Sequence, residues 1–69
     1  MPDSVYKIIE LVGTSSESWE KAAAKAVSTA AGSLQDLRIA EVSALDMQIE
    51  GGNVVSYRAK LKVSFKINA

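Results

Sequence analysis

The clearest pattern in the chain is a strict alternation of apolar and polar residues near its C-terminal end. Odd-numbered positions of residues 55–67 are apolar or aromatic, and the even-numbered positions between them are serine, arginine or lysine. Successive side chains of a strand point to opposite faces of a sheet, so the alternation predicts a strand with one apolar face. Residues 5–12 and residues 38–49 are also rich in apolar and β-branched residues, and they predict two further strands.

One helix is predicted between the first two strands. Apolar residues, most of them alanine, recur at three- and four-residue steps over residues 19–37. Thr14 and Glu17 have the spacing of a capping box, so the capping hydroxyl is expected within residues 14–16. Gly32 weakens the helical pattern, and the helix is expected to end within residues 32–36.

The order of these elements predicts the fold. Residues 51–53, Gly-Gly-Asn, form a turn that tolerates positive φ, which makes strands two and three an antiparallel hairpin. The helix crosses over, so strand one runs parallel to strand two and pairs with strand three. We therefore predict a single α+β domain over residues 1–69, of order β-α-β-β. Its three-stranded antiparallel sheet has strand order 1-3-2 and packs on one helix.

Apolar residues on both faces of the first two strands predict self-association. Tyr6, Ile8 and Val12 share one face of strand one, whereas Ile9 and Leu11 share the other. On strand two, simple alternation separates two apolar sets, namely Ile39, Leu45, Met47 and Ile49 on one face and Ala40, Val42 and Ala44 on the other. One short helix covers only one face of a sheet, so the second face requires further copies of the chain.

Composition excludes several classes of function. The chain has no cysteine and no histidine, which rules out disulfides, thiolate chemistry, the common structural zinc sites and a histidine-assisted nucleophile. The net charge is zero and the basic face of strand three has no aromatic residue, which argues against nucleic-acid binding. No apolar run is long enough to span a membrane and no signal-like region begins the sequence, so a cytoplasmic location is predicted.

The zero net charge conceals an uneven distribution of charged residues. Residues 1–53 carry eight acids and four bases, whereas residues 54–69 carry four bases and no acid. These four bases share the polar face of strand three: Arg58, Lys60, Lys62 and Lys66. Two interpretations are open, namely ion pairs with acids of a neighbouring subunit and a binding site for an anion such as phosphate.

Three segments of the chain are similar to the strand motifs of a known family. They are residues 5–15, VYKIIELVGTS, residues 40–42, AEV, and residues 61–66, LKVSFK. With these motifs the chain resembles the dodecins, small bacterial and archaeal proteins, over residues 4–67 and in the same β-α-β-β order. The resemblance implies a hollow homododecamer that stores flavins, stacked between tryptophans, and is not an enzyme. Some dodecins also hold coenzyme A, for which the basic face is the candidate site.

The residues that hold flavin in that family are not retained here. The stacking tryptophan falls on Ile39, and the glutamine that bonds the isoalloxazine edge falls on Arg58. Two further polar positions fall on Ala44 and Gln48. An aliphatic side chain lacks aromatic stacking, which contributes on the order of 0.5–1.5 kcal/mol beyond area burial. We therefore expect no strong flavin binding, and a flavin-storing dodecin with an altered pocket is the alternative.

Other segments are more similar to the calcium dodecins, a subgroup that lacks this tryptophan. They are the Thr-Ser-x-x-Ser-Trp-Glu phrase of residues 14–20, the Asp46-Met47 pair and residues 63–66, VSFK. Calcium takes six to eight oxygen ligands. The chain has no Asp-x-Asp loop, so one copy does not supply enough ligands for a calcium ion. A symmetric assembly brings several copies of the same carboxylate together. The candidate calcium ligands are Glu10, Glu41, Asp46 and Glu50.

The sequence thus predicts a non-enzymatic dodecameric protein that binds or sequesters a small ligand or ion. The expected partners are further copies of the chain and that ligand, with no nucleic acid and no membrane. Flavin storage and a purely structural shell are the alternatives. Trp19, the only tryptophan, is expected to be a packing anchor at the start of the helix rather than a ligand contact.

Overall fold

The computed structural model describes residues 3–67 and contains four regular elements. β1 comprises Val5–Ser15, α1 Trp19–Ala31, β2 Leu37–Glu50 and β3 Asn53–Ile67. The strands form one antiparallel sheet in the order β1-β3-β2, so β3 is the central strand. The predicted β-α-β-β order and the predicted strand order are both confirmed.

Local preferences of a few residues set the connections between the elements. Gly51 and Gly52 have φ angles of 57° and 80°, the positive values that the glycine turn was predicted to need. The helix begins after Ser18, whose hydroxyl accepts a hydrogen bond from the backbone N–H three residues later at 3.1 Å. The predicted capping box at Thr14 is wrong, because β1 continues to Ser15 and keeps Thr14 in the sheet.

The helix α1 is short. It has 13 residues and ends at Ala31, one residue before the predicted range. The Gly32 N–H donates a hydrogen bond to the Thr29 carbonyl at 3.2 Å and closes the last turn. Within residues 3–67, no helix has the length and apolar character needed to cross a membrane.

The core lies between α1 and the part of the sheet formed by β1 and β3. Every fourth residue along one side of the helix is a buried alanine: Ala22, Ala26 and Ala30. Leu61 and Val63 of β3 are each 1% exposed and form the centre of the core with Ala26. Because alanine is small, the helix lies close to the sheet, and Gly13 of β1 contacts the α1 backbone.

A bulge in β2 changes which of its residues share a face. The register with β3 shifts at Ser43. Leu45 and Met47 therefore lie on the side of the sheet that faces α1, together with buried Ala59. The predicted grouping of Leu45 and Met47 with Ile39 is wrong, because one inserted residue reverses the alternation beyond it.

The sheet is longer than the helix that covers it. The chain measures 54 × 20 × 14 Å, whereas a 13-residue helix is about 20 Å long. Large apolar residues that are at least 41% exposed are Val5, Tyr6, Ile8, Val12, Ile39, Val42, Leu45, Met47, Ile49, Val54, Val55 and Ile67. They lie on both faces of the sheet, and an apolar surface of this extent is typical of proteins that associate.

Candidate functional site

The face of the sheet that points away from α1, here called the open face, carries the predicted charged residues. Buried Ala59 and Leu61 point towards the helix, so the even-numbered residues between and beside them point away from it. The four predicted anion-binding bases share the open face: Arg58, Lys60, Lys62 and Lys66. Arg58 and Lys66 are eight residues apart, which is about 26 Å at the usual rise of a strand. One small anion therefore does not contact all four bases.

Lys62 lies in a row of alternating charge across the open face. It pairs in register with Glu10 of β1 on one side and with Glu41 of β2 on the other. Directly opposed residues of unlike charge stabilise a sheet. Two of the predicted calcium ligands are therefore held about 10 Å apart, measured between their strands, with the Lys62 position between them. Lys60 lies in the neighbouring row, between Val12 and Ala44.

Asp46 and Arg58 form a bidentate ion pair on the open face. Arg58 Nε donates to Asp46 Oδ1 at 2.7 Å, and Arg58 Nη2 donates to Asp46 Oδ2 at 2.9 Å. The Arg58 side chain is 41% exposed and the Asp46 side chain 38%. The sequence predicts ion pairs between this basic face and acids of a neighbouring subunit, whereas this pair joins two residues of one chain.

The ion pair shifts the pKa of both partners away from neutral pH. The hydrogen bonds from Arg58 hold the pKa of Asp46 below its usual value; desolvation opposes this shift, and the positive charges of Arg58 and Lys60 add to it. The hydrogen bonds to Asp46, and then its negative charge, raise the pKa of Arg58. Asp46 is therefore an anion and Arg58 a cation at neutral pH.

Trp19 links the start of α1 to the Asp46 backbone. Its indole N–H donates a hydrogen bond to the Asp46 carbonyl oxygen at 3.0 Å. The centroid of its ring lies 5.1 Å from the centroid of the Tyr57 ring in an edge-to-face arrangement. Trp19 makes the packing contacts expected of an anchor, but it is partly rather than fully buried. Sequence reasoning missed its link to Asp46 because 27 positions separate the two residues and no local pattern joins them.

Removal of the indole N–H is expected to cost a single hydrogen bond. Trp19→Phe keeps a ring against Tyr57, so we expect the free energy of unfolding to fall by about 1 kcal/mol. Trp19→Ala is expected to lower it further, because the ring contact is lost as well. Urea unfolding followed by circular dichroism at fixed protein concentration measures both variants. An unchanged midpoint for Trp19→Phe would contradict a stabilising indole hydrogen bond.

Within residues 3–67, the acids of one chain do not gather into a cation cage. Glu50 lies at the hairpin, Glu10 and Glu41 flank Lys62, and Asp46 is held by its arginine. Among the residues that the structure describes, no three acidic side chains lie close enough together to hold a metal ion. Carboxylate oxygens are the type of ligand that calcium prefers, but too few of them lie close together in one chain to coordinate the ion. A calcium site on these residues needs oxygens from further copies of the chain or from water.

The positions that the family resemblance assigns to flavin all lie on the open face, but one of them, Ile39, lies far from the other three. These positions are Ile39, Ala44, Gln48 and Arg58. Ala44 is on this face because of the β2 bulge, contrary to its predicted grouping with Val42. Ile39, which is 67% exposed, lies opposite Ser64. Ser64 and Arg58 are six residues apart on β3, which is about 20 Å. In one chain, Ile39 and Arg58 therefore do not reach the same small ligand.

A groove between α1 and β1 lies apart from all of these residues. Its volume is about 450 Å³, and its lining is mainly apolar, including Ile9, Leu11, Ala26 and Leu34. None of the residues that line it was predicted as a site residue. The groove therefore adds to the exposed apolar surface and not to the candidate site.

Comparison with known proteins identifies the family. A family model described as dodecin matches residues 5–68. The chain belongs to the dodecin family. The resemblance seen in the strand motifs of residues 5–15, 40–42 and 61–66 is thereby confirmed.

Individual relatives are similar to this chain over nearly its whole length. It is 50% identical to the calcium dodecin of Mycobacterium tuberculosis over 64 residues, which are 93% of this chain and 90% of that protein. A crystal structure of that calcium dodecin is described as a calcium-chelating immunodominant antigen with a novel calcium-binding site. It matches with a TM-score of 0.84 at 49% identity, over 94% of this chain and 93% of the other. The dodecin of Streptomyces coelicolor matches with a TM-score of 0.93 at 33% identity, over 100% and 99% of the two chains.

Proposed function

We propose that the protein is a non-enzymatic homododecamer that binds and sequesters a divalent cation, and that the cation is calcium. The observation that carries this function is the 50% identity to a calcium dodecin over 93% of the chain. The exposed carboxylates of the sheet support it, because carboxylate oxygens are the ligands that calcium prefers. The four predicted ligands, Glu10, Glu41, Asp46 and Glu50, are the candidates for this role.

Self-association is part of the same function. The candidate carboxylates of one chain lie apart, and a symmetric assembly is the simplest way to bring several copies of one carboxylate together. The exposed apolar residues on both faces of the sheet supply the surface for such contacts. We infer that the calcium site lies where copies of the chain meet.

We propose no catalytic role. The chain has no histidine and no cysteine, so it lacks the side chains that most often serve as a base or covalent nucleophile near neutral pH. The pKa of Asp46 is lowered and that of Arg58 is raised. Both shifts are opposite to those that acid–base catalysis at neutral pH requires.

Calcium is expected to bind to and stabilise the purified protein. After removal of metal with a chelator, calorimetric titration with calcium should give saturable heat. At a calcium concentration of 100 times Kd, the stability should rise by about 2.7 kcal/mol, which a melting curve detects. Glu41→Gln should weaken binding if Glu41 is a ligand, whereas Glu17→Gln, an acid that pairs with Lys21 on the helix, should not. Absence of both heat and a melting shift in the unmodified protein would contradict calcium binding.

Flavin storage with an altered pocket is the second candidate function. Ile39 occupies the position of the stacking tryptophan and is 67% exposed, so that position is open in the chain. Riboflavin fluorescence is the test, because stacking on protein residues quenches it. Strong quenching at micromolar protein would favour flavin storage over cation sequestration. If the protein bound neither calcium nor flavin, the third alternative, a shell with only a structural role, would be favoured.

A further inference from the structure

We propose that Arg58 is a built-in competitor for divalent cations at Asp46. This inference rests on the proposed cation binding and concerns which carboxylate the ion reaches. The guanidinium group binds both oxygens of Asp46 inside one chain, so a metal ion that chelates both oxygens must displace Arg58.

Both oxygens of the Asp46 carboxylate accept a hydrogen bond from Arg58. The two hydrogen bonds, 2.7 Å and 2.9 Å long, join two nitrogens of one planar group to the two oxygens of one carboxylate. This fork is the strongest common arrangement of arginine with a carboxylate. A calcium ion that chelates both oxygens of a carboxylate, at 2.3–2.6 Å, uses the lone pairs that here accept from Arg58. The ion and the guanidinium group therefore compete for chelation by both oxygens of Asp46, and their like charges repel one another.

The two partners differ in how firmly they are held. The backbone of Asp46 is fixed by the hydrogen bond from the Trp19 indole, and Trp19 is itself packed on Tyr57. The Arg58 and Asp46 side chains are similarly exposed, at 41% and 38%, but the arginine side chain is longer and has more rotatable bonds. When a cation competes for the carboxylate, the part that moves is the arginine side chain. Asp46 stays in place.

The other candidate acids are not masked in this way. Between Asp3 and Ile67, ion pairs with N–O distances within 4.0 Å join Asp46 to Arg58 and Glu17 to Lys21. Glu10 and Glu41 face Lys62 only as cross-strand neighbours. A cation that approaches the open face thus meets Glu10 and Glu41, which have a lysine only as a cross-strand neighbour, and Asp46, which is masked by hydrogen bonds from Arg58.

The test is a cycle of three variants titrated with calcium by calorimetry: Arg58→Gln, Asp46→Asn and the double variant. Arg58→Gln should bind calcium about three- to fivefold more tightly than the unmodified protein, the range set by a partly exposed ion pair. Asp46→Asn alone should change the affinity little, because its carboxylate is already occupied. The double variant should lose the gain of Arg58→Gln.

Controls separate the loss of the fork from a general change of charge. Lys60→Gln removes the same charge two residues along the strand and should give a smaller gain, which Asp46→Asn does not abolish. Arg58→Lys keeps the charge, breaks the fork and should give an intermediate gain; it also replaces Arg58→Gln if light scattering shows that the glutamine variant does not assemble. No gain in either Arg58 variant, or a gain that persists with Asp46→Asn, would overturn the inference. Lack of calcium binding by the unmodified protein, with a gain in Arg58→Gln, would refute only the proposed function.

Discussion

Gly13→Ala is expected to disrupt the packing of α1 on the sheet and to destabilise the protein by about 3 kcal/mol or more. A methyl group at Gly13 would lie 2.0 Å from the Ala22 carbonyl oxygen and 2.9 Å from its carbonyl carbon. Both atoms belong to the helix backbone, so no side-chain rotation relieves the overlap. The helix must move away from β1, and a chain of this size has a core that supplies only about 3–5 kcal/mol. Thermal and urea unfolding measure the loss.

Gly32→Ala is the matched control for this prediction. Gly32 ends the helix with φ of −70° and ψ of −21°, which alanine adopts readily. Its added methyl group would lie 3.3 Å from one carbonyl oxygen, a tight contact but not an overlap. We expect a change in stability within about 0.5 kcal/mol. A Gly13→Ala protein as stable as the Gly32→Ala protein would show that α1 and β1 are not as closely packed as described.

The amino-acid pattern was sufficient for the fold where the signal is local. The alternation of residues 55–67 predicted the central strand and its two faces, and the glycine turn predicted the hairpin. The alanine stripe predicted close packing of the helix. The need for glycine at position 13 was not predictable from the pattern, because it depends on where the Ala22 carbonyl lies after the helix has packed. The bulge at Ser43 was missed for a similar reason, since nothing in the local sequence marks the extra residue.

The candidate site was predictable only in part. Strand geometry alone predicts that the bases of β3 share one face, and they do so in the structure. Which acid faces which base depends on the register of three strands, and the bulge shifts that register on β2. The Asp46–Arg58 pair and the Trp19 hydrogen bond join residues 12 and 27 positions apart. The roles of the predicted ligand residues stay predictions, because they depend on contacts between chains.

Assembly into a dodecamer is expected to give a particle of about 88 kDa from the 7.3 kDa chain. The apolar residues of β2 on the side of α1 are exposed in the single chain, and Leu45 is 51% exposed. Leu45→Glu should therefore fold as a chain, because exposed substitutions change stability by less than about 0.5 kcal/mol. In the assembly the same change places a charge in a covered apolar contact, which is unfavourable at every copy. Light scattering after size-exclusion chromatography should show the loss of the large particle.

Ser28→Glu is the control that adds the same charge elsewhere. Ser28 is exposed on α1, and its hydroxyl donates a hydrogen bond to the Lys25 carbonyl within the helix. This variant should keep the mass of the unmodified protein. A monomer or dimer for the unmodified protein at micromolar concentration would contradict the dodecamer. A full-sized particle for Leu45→Glu would instead show that Leu45 is exposed to solvent in the assembly. The contacts between copies would then have to use the apolar residues of the open face, such as Ile8, Val12 and Ile39.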